Sequence, residues 1–164
     1  MRELENDVDS FKYKLVPAMD DATRDAVLVV LQKYNRLRNP EFFERRDQPE
    51  HLPRPANAIV LDANGEVAGG LLGETQFAWL KITYLAVAEH ARGQGVGREL
   101  VGMVEQEAIA RGCRFSFVDT MGYQAPKFYE KLGYKVAGLL PNWDSHGNDK
   151  FFFMKQLVRT GIVI

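Results

Sequence analysis

The run Arg92-Gly93-Gln94-Gly95-Val96-Gly97-Arg98 constrains this chain more than any other stretch. Its three glycines alternate with other residues, which leaves successive backbone N–H groups unscreened by side chains. An apolar, β-rich stretch (Ile82, Tyr84, Leu85, Val87) leads into it, and a helix-periodic stretch (Val96, Leu100, Met103, Val104, Ala108) leads out. A strand, a bare amide loop and a helix N-terminus in that order form an anion pocket, because unpaired N–H groups and the positive end of the helix dipole converge. An arginine at each end adds charge, and the expected guest is a phosphate or pyrophosphate. A dinucleotide fingerprint requires glycines at relative positions 1, 3 and 6. Here the sixth position is Arg98. A P-loop ends in Gly-Lys-Ser/Thr, and none is present. The plainer alternative is a glycine-rich turn flanked by two solvated arginines.

The rest of the chain reads as one α/β domain spanning residues 1–164, long enough to bury a sizeable core. Phe11–Val16 alternates apolar and polar residues like a strand, and Pro17 ends it. Asp20 or Asp21 can cap a helix in which Val27, Val30, Leu31, Tyr34 and Leu37 recur at helical spacing to Arg38. Residues 39–57, with four prolines, read as a loop holding one short helix at Glu41–Arg46. Ala58–Leu61 and Val67–Leu72 flank Asp62-Ala63-Asn64-Gly65 as a hairpin, and Trp79–Val87 is the strand that feeds the glycine loop. After the loop comes a helix to Arg111 that Gly112 closes. Then follow a strand at Phe115–Val118, a helix at Ala125–Leu132 closed by Gly133, and strands at Tyr134–Leu139 and Lys150–Leu157. This order predicts a mixed sheet with helices on both faces.

Composition narrows the partners. A net charge of −1 gives no global attraction to nucleic acid or an anionic membrane, so a basic loop points to local anion capture. There is no run of ~18 apolar residues, and Met-Arg-Glu-Leu-Glu-Asn-Asp does not read as a signal peptide. Cys113 is the sole cysteine, and His51, His90 and His146 lack ligand spacing, so no metal site is expected. These features fit a cytoplasmic protein. Arg36, Arg38, Arg45, Arg46 and Arg54 would favour an acidic partner, or else form a solvated helix face.

Two motifs together resemble the Gcn5-related N-acetyltransferase (GNAT) superfamily. Arg92-Gly93-Gln94-Gly95-Val96-Gly97 follows Leu85-Ala86-Val87 as the family's pyrophosphate loop follows its strand. Ala125-Pro126-Lys127-Phe128-Tyr129-Glu130-Lys131-Leu132-Gly133-Tyr134 is similar to the family's A-x-x-F-Y-x-x-x-G-F/Y. The similarity covers residues 56–157 and implies a central mixed sheet of six to seven strands in which a splayed pair holds acyl-coenzyme A. It implies that main-chain groups of Leu85, Ala86 and Val87 hold the pantetheine arm. It further implies that Gly93, Gln94, Gly95, Val96, Gly97 and Arg98, with Arg92, hold the pyrophosphate.

The implied activity is transfer of an acetyl group from acetyl-coenzyme A to an amine of a small molecule or peptide, by direct attack in a ternary complex. Tyr129 then corresponds to a tyrosine that protonates the departing thiolate, and a phenol with a pKa of about 10 carries that proton at neutral pH. Asp119 and Glu74 are the candidate bases for the acceptor ammonium; each also reads as a solvated strand-end charge or a cap. Relatives often place an asparagine where this chain has Gly122, which removes one expected coenzyme contact. The alternatives are a non-catalytic acyl-coenzyme A sensor or interaction module, a transferase of another acyl group, and a nucleotide-phosphate binder. Homodimerisation is common in the fold, and the acceptor is not legible from the sequence.

Overall fold

The computed structural model describes residues 5–8 and 11–158. The chain divides into two compact units after Gln48. In the first, β1 (Glu5–Val8) pairs antiparallel with β2 (Phe11–Lys14). The strand expected at residues 11–16 thus stops at Lys14 and belongs to a separate hairpin, not to the large sheet. Helix α1 (Asp21–Arg38) starts where Asp20 Oδ1 accepts the Thr23 amide at 2.7 Å, satisfying one orphan donor of the first turn. Helix α2 (Pro40–Arg46) follows directly, with Pro40 at its first position and Asn39 capping Phe42. Phe43 is buried there between the Arg36 and Arg46 guanidiniums. The segment expected to be mostly loop is therefore more ordered than its prolines suggest.

The second unit holds β3 (Arg54–Pro55), β4 (Ala58–Leu61), β5 (Val67–Gln76), β6 (Trp79–Val87), β7 (Phe115–Met121), β8 (Lys135–Leu140) and β9 (Lys150–Gln156). They form one seven-stranded sheet in the order β3-β5-β6-β7-β9-β8, with β4 also paired to β5. Only β6 and β7 run parallel; the other pairs are antiparallel. Helices α3 (Val96–Ala110) and α4 (Pro126–Lys131) belong to this unit. Leu100, Val101, Val104 and Ala108 of α3 recur at helical spacing and are buried with Leu71, Leu80, Ile82, Val118 and Phe153 of the sheet. The β4–β5 turn is fixed by Asp62, whose Oδ1 accepts the amides of Asn64 and Glu66 at 2.8 and 3.0 Å. None of the described helices is long and apolar enough to cross a membrane.

Candidate active site

The site is built on a fork in the sheet. β6 and β7 pair from Trp79↔Phe115 to Ile82↔Val118 and no further, although β6 continues to Val87 and β7 to Met121. The cause lies in β6. Against β5, Ile82 faces Gly73 and Tyr84 faces Leu72, so Thr83 is an extra residue in a β-bulge. A bulge bends its strand and raises the local twist, and one added residue turns the following side chains to the opposite face. The second effect is visible: before the bulge Leu80 and Ile82 are buried, whereas after it the inward positions are Leu85 and Val87. Beyond Ile82, β6 has no partner on its β7 side among the described residues.

The open arm of β6 ends at the glycine loop. Gly93 and Gly95 take φ of +76° and +84°, values that residues with a Cβ rarely adopt. Gly95 is the N-cap of α3, and the first bond into the helix runs from the Glu99 amide to the Gly95 carbonyl at 3.1 Å. The amides of Gly93, Gln94, Gly95, Val96, Gly97 and Arg98 have no backbone partner among the described residues. Side chains hold the loop in shape: Arg92 Nε donates to the Val87 carbonyl at 3.0 Å, and Gln94 Nε2 donates to the His90 carbonyl at 2.8 Å. Gly97 answers a different need. A Cβ there would lie 3.3 Å from the Phe128 ring and 3.7 Å from Val87 Cγ2, so α3 and α4 approach only over a bare Cα.

Tyr129 is 6% exposed. Its ring lies 5.1 Å from Phe128, 5.7 Å from Tyr134 and 6.0 Å from Phe153. Phe153 pairs with Val118, the last residue of β7 before the fork, which brings Tyr129 to the level where the strands part. Burial, reinforced by the negative charge of Asp119, pushes the Tyr129 phenol up to about 12. It is therefore a proton-carrying hydroxyl throughout the neutral range. Tyr134 is anchored more firmly: its hydroxyl donates to Glu105 Oε1 at 2.9 Å and lies 2.8 Å from Ser116 Oγ. Lys155 Nζ closes the cluster at 2.6 Å from Glu105 Oε2. Burial, with the Glu105 charge behind it, drives the Tyr134 phenol up further still.

Asp119 is the first residue of β7 past the fork, on the face opposite Val118 and Phe153. Its Oδ2 lies 2.9 Å from Lys150 Nζ. Glu74 sits elsewhere: it pairs across β5–β6 with Lys81, before the bulge, at 3.6 Å between charged atoms. One strand, β6, separates it from β7, and its ion pair is with Lys81 rather than with the Asp119–Lys150 pair, so the structure does not bring the two carboxylates together. The end of β7 is closed by Gln124, whose Oε1 accepts the Met121 amide at 2.8 Å and the Thr120 hydroxyl at 3.0 Å. The sequence reading passed over Thr83, Gln124, Glu105 and Lys150. Only Thr83 left a trace, in the switch of apolar positions from even to odd along β6. Among the described residues no group of His, Cys, Asp and Glu could hold a metal ion.

A strand fork opening onto an amide-lined helix N-terminus defines a class of α/β fold in which an unpaired strand edge leads to an anion-accepting helix start. Comparisons with known proteins give the class its identity. The model of the Acetyltransferase (GNAT) family matches residues 22–134. A blasticidin-S acetyltransferase of Streptomyces morookaense is 38% identical over 117 residues, covering 69% of this chain and 86% of the relative. A solved acetyltransferase structure from Bacillus cereus superposes with a TM-score of 0.68 at 26% identity, covering 87% of this chain and 97% of the other. An aminoglycoside 6'-N-acetyltransferase in complex with coenzyme A shares the fold with a TM-score of 0.58 at 21% identity, covering 98% and 99%. This chain belongs to the GNAT acetyltransferase family. It is an acyl-coenzyme A-dependent acetyltransferase.

Proposed function

We propose that the protein transfers the acetyl group of acetyl-coenzyme A to an amine of a small molecule, by direct attack within a ternary complex. The observation that carries this reading is the fork itself, which ends at the six unpaired amides of Gly93–Arg98. The residues fit the donor. Its amide-bearing arm can pair with the main chain of Leu85, Ala86 and Val87 like an added strand, and the Gly93–Arg98 amides and the start of α3 meet the pyrophosphate. The match to residues 22–134 runs across the boundary after Gln48, which supports treating the whole chain as one acyltransferase domain.

Holding the thioester and the amine together supplies most of the acceleration, by removing the entropy of encounter. The acceptor enters as an ammonium with a pKa near 10.4 and must lose a proton before it attacks. Asp119, at the fork, takes that proton; Glu74, ahead of the bulge, is the second candidate. The amine nitrogen then bonds to the thioester carbonyl carbon, the C–S bond breaks with its electron pair left on sulfur, and the surplus proton on the nitrogen passes to the thiolate sulfur, leaving a neutral amide and a free thiol. Tyr129 holds a proton at its hydroxyl for the departing thiolate. With the phenol at about 12, its contribution is chiefly a charge-assisted hydrogen bond that settles the negative sulfur. A small-molecule acceptor is supported by the Streptomyces relative, named for acetylation of blasticidin S. The donor is a metabolite of the cell interior, in keeping with a cytoplasmic enzyme.

The test is release of free thiol from acetyl-coenzyme A across a panel of amines, beside binding of coenzyme A alone. Saturable, amine-dependent thiol release is expected. Tight coenzyme binding with no thiol release from any amine would instead mark a sensor. Thermal stabilisation by a nucleotide as large as that by acetyl-coenzyme A would mark a nucleotide binder.

A further inference from the structure

At the fork, Asp119 is not a bare carboxylate, because an ammonium already sits on it. Lys150 Nζ lies 2.9 Å from Asp119 Oδ2, 5.0 Å from the centre of the Trp143 ring and 5.6 Å from that of Phe152. A carboxylate and two aromatic faces around one ammonium make a receptor for a primary cation, since charge and ring quadrupole act on the same group. The three walls are held independently of the lysine. Asp119 and Phe152 face each other across β7–β9. Trp143 rides on a loop where Asp144 accepts the amides of His146 and Asn148 at 2.9 and 3.1 Å, and Asn142 accepts that of Gly147 at 2.7 Å. The Gly122 amide ties the far end of that loop to β7 through the Asp149 carbonyl at 2.8 Å. The occupant is a flexible aliphatic stem with a compact charge, which regains rotamer freedom when it leaves.

We propose that Lys150 is a placeholder in the acceptor's ammonium seat, and that the acceptor class is an unbranched primary ammonium that displaces it onto solvent. The inference rests on the acetyl-transfer reading above, and it explains how the acceptor nitrogen reaches Asp119. The incoming ammonium takes the place of Lys150 against the carboxylate, gives up one proton to it, and becomes the neutral amine that attacks. In the opposing case the Asp119–Lys150 pair is a static surface ion pair.

The probe is n-butylammonium, the lysine side chain without its backbone, titrated calorimetrically into the coenzyme A-bound protein. Lys150→Ala empties the seat, and butylammonium is expected to bind it about tenfold tighter than it binds wild type, a difference of about 1.4 kcal/mol. Asp119→Asn, close in shape and expected to fold, should abolish butylammonium binding both alone and combined with Lys150→Ala. Equal affinity of wild type and Lys150→Ala, or binding that survives Asp119→Asn, overturns the proposal. Thiol release separates the two readings. Amine turnover in wild type with no gain in butylammonium affinity in Lys150→Ala removes the seat and leaves the enzyme. Butylammonium binding through Asp119 with no thiol release from any amine removes the acetyl transfer and leaves a cation site.

Discussion

Gly97 and Phe128 meet so closely that a single methyl group between them would sit 3.3 Å from the ring. The pair joins the helix that presents the loop amides to the helix that carries Tyr129, and it does so with no polar contact. Gly97→Ala gains helix propensity of about 1 kcal/mol but must push the ring or the helix aside by a few tenths of an ångström. We expect the melting temperature to change little while coenzyme A affinity falls, roughly tenfold, because the loop moves relative to the fork. Restored affinity in Gly97→Ala/Phe128→Leu, measured by calorimetry, would tie the loss to this contact.

Gly95 makes the opposite kind of demand. At φ +84° a Cβ meets nothing within 4 Å, so Gly95→Ala carries backbone strain of about 1–2 kcal/mol and no clash. Chemical denaturation should report that modest loss. Coenzyme A binding should fall by more than the strain alone accounts for, because a side chain on this loop hinders close backbone approach of a phosphate. Equal losses in the two measurements would show that the loop does not face the ligand.

Tyr129→Phe removes the hydroxyl and keeps the ring among Phe128, Tyr134 and Phe153. Turnover should drop about a hundredfold, with the KM for acetyl-coenzyme A nearly unchanged. Unaltered turnover would remove Tyr129 from the chemistry.

The raised Tyr129 phenol also has a stability signature. Its folded pKa, about 12, exceeds the ordinary value of 10.0, so the folded state holds this proton more tightly than the unfolded chain. Its contribution is fully present below pH 10.0 and is lost as pH climbs toward about 12. Denaturation curves of Tyr129→Phe should therefore fall less steeply across that window, by up to about 1.4 kcal/mol per pH unit. Tyr134, shifted in the same direction, retains its own share of the slope in both proteins.

Tyr134 and Lys155 both hold Glu105, but removing them should not be equivalent. Tyr134→Phe leaves Glu105 its bond to Lys155 and should cost about 1–2 kcal/mol. Lys155→Met leaves a mostly buried carboxylate without its counter-charge and should cost more, about 3 kcal/mol. Urea denaturation of the two variants gives the comparison directly.

Much of the second unit was legible because its signals are local. Asn64-Gly65 marked the β4–β5 turn, Gly112 and Gly133 marked helix ends at φ of +89° and +87°, and β6 matched its expected range at both ends. In residues 39–57 the helix expected at Glu41–Arg46 formed as Pro40–Arg46 on its local Asn39 cap, whereas the short strand there was not legible because it depends on partners distant in sequence. β3 is two residues long and exists by pairing with Glu74 and Thr75. The strand expected at residues 11–16 formed over Phe11–Lys14 but outside the large sheet, because an alternating pattern fixes which side chains share a face, not which strand lies alongside.

By itself, the sequence determined the amide-bearing loop, the helix it opens and the Phe-Tyr motif. Each is encoded by residue types acting within a few positions of themselves: glycines that admit a left-handed turn, and apolar side chains at helical or strand spacing. Tertiary structure decided where β6 and β7 separate, since the Thr83 bulge is defined only by its register against β5. It also decided which charges meet. Asp119 and Lys150 lie far apart in the chain, and only the β7–β9 pairing sets an ammonium on the carboxylate at the fork.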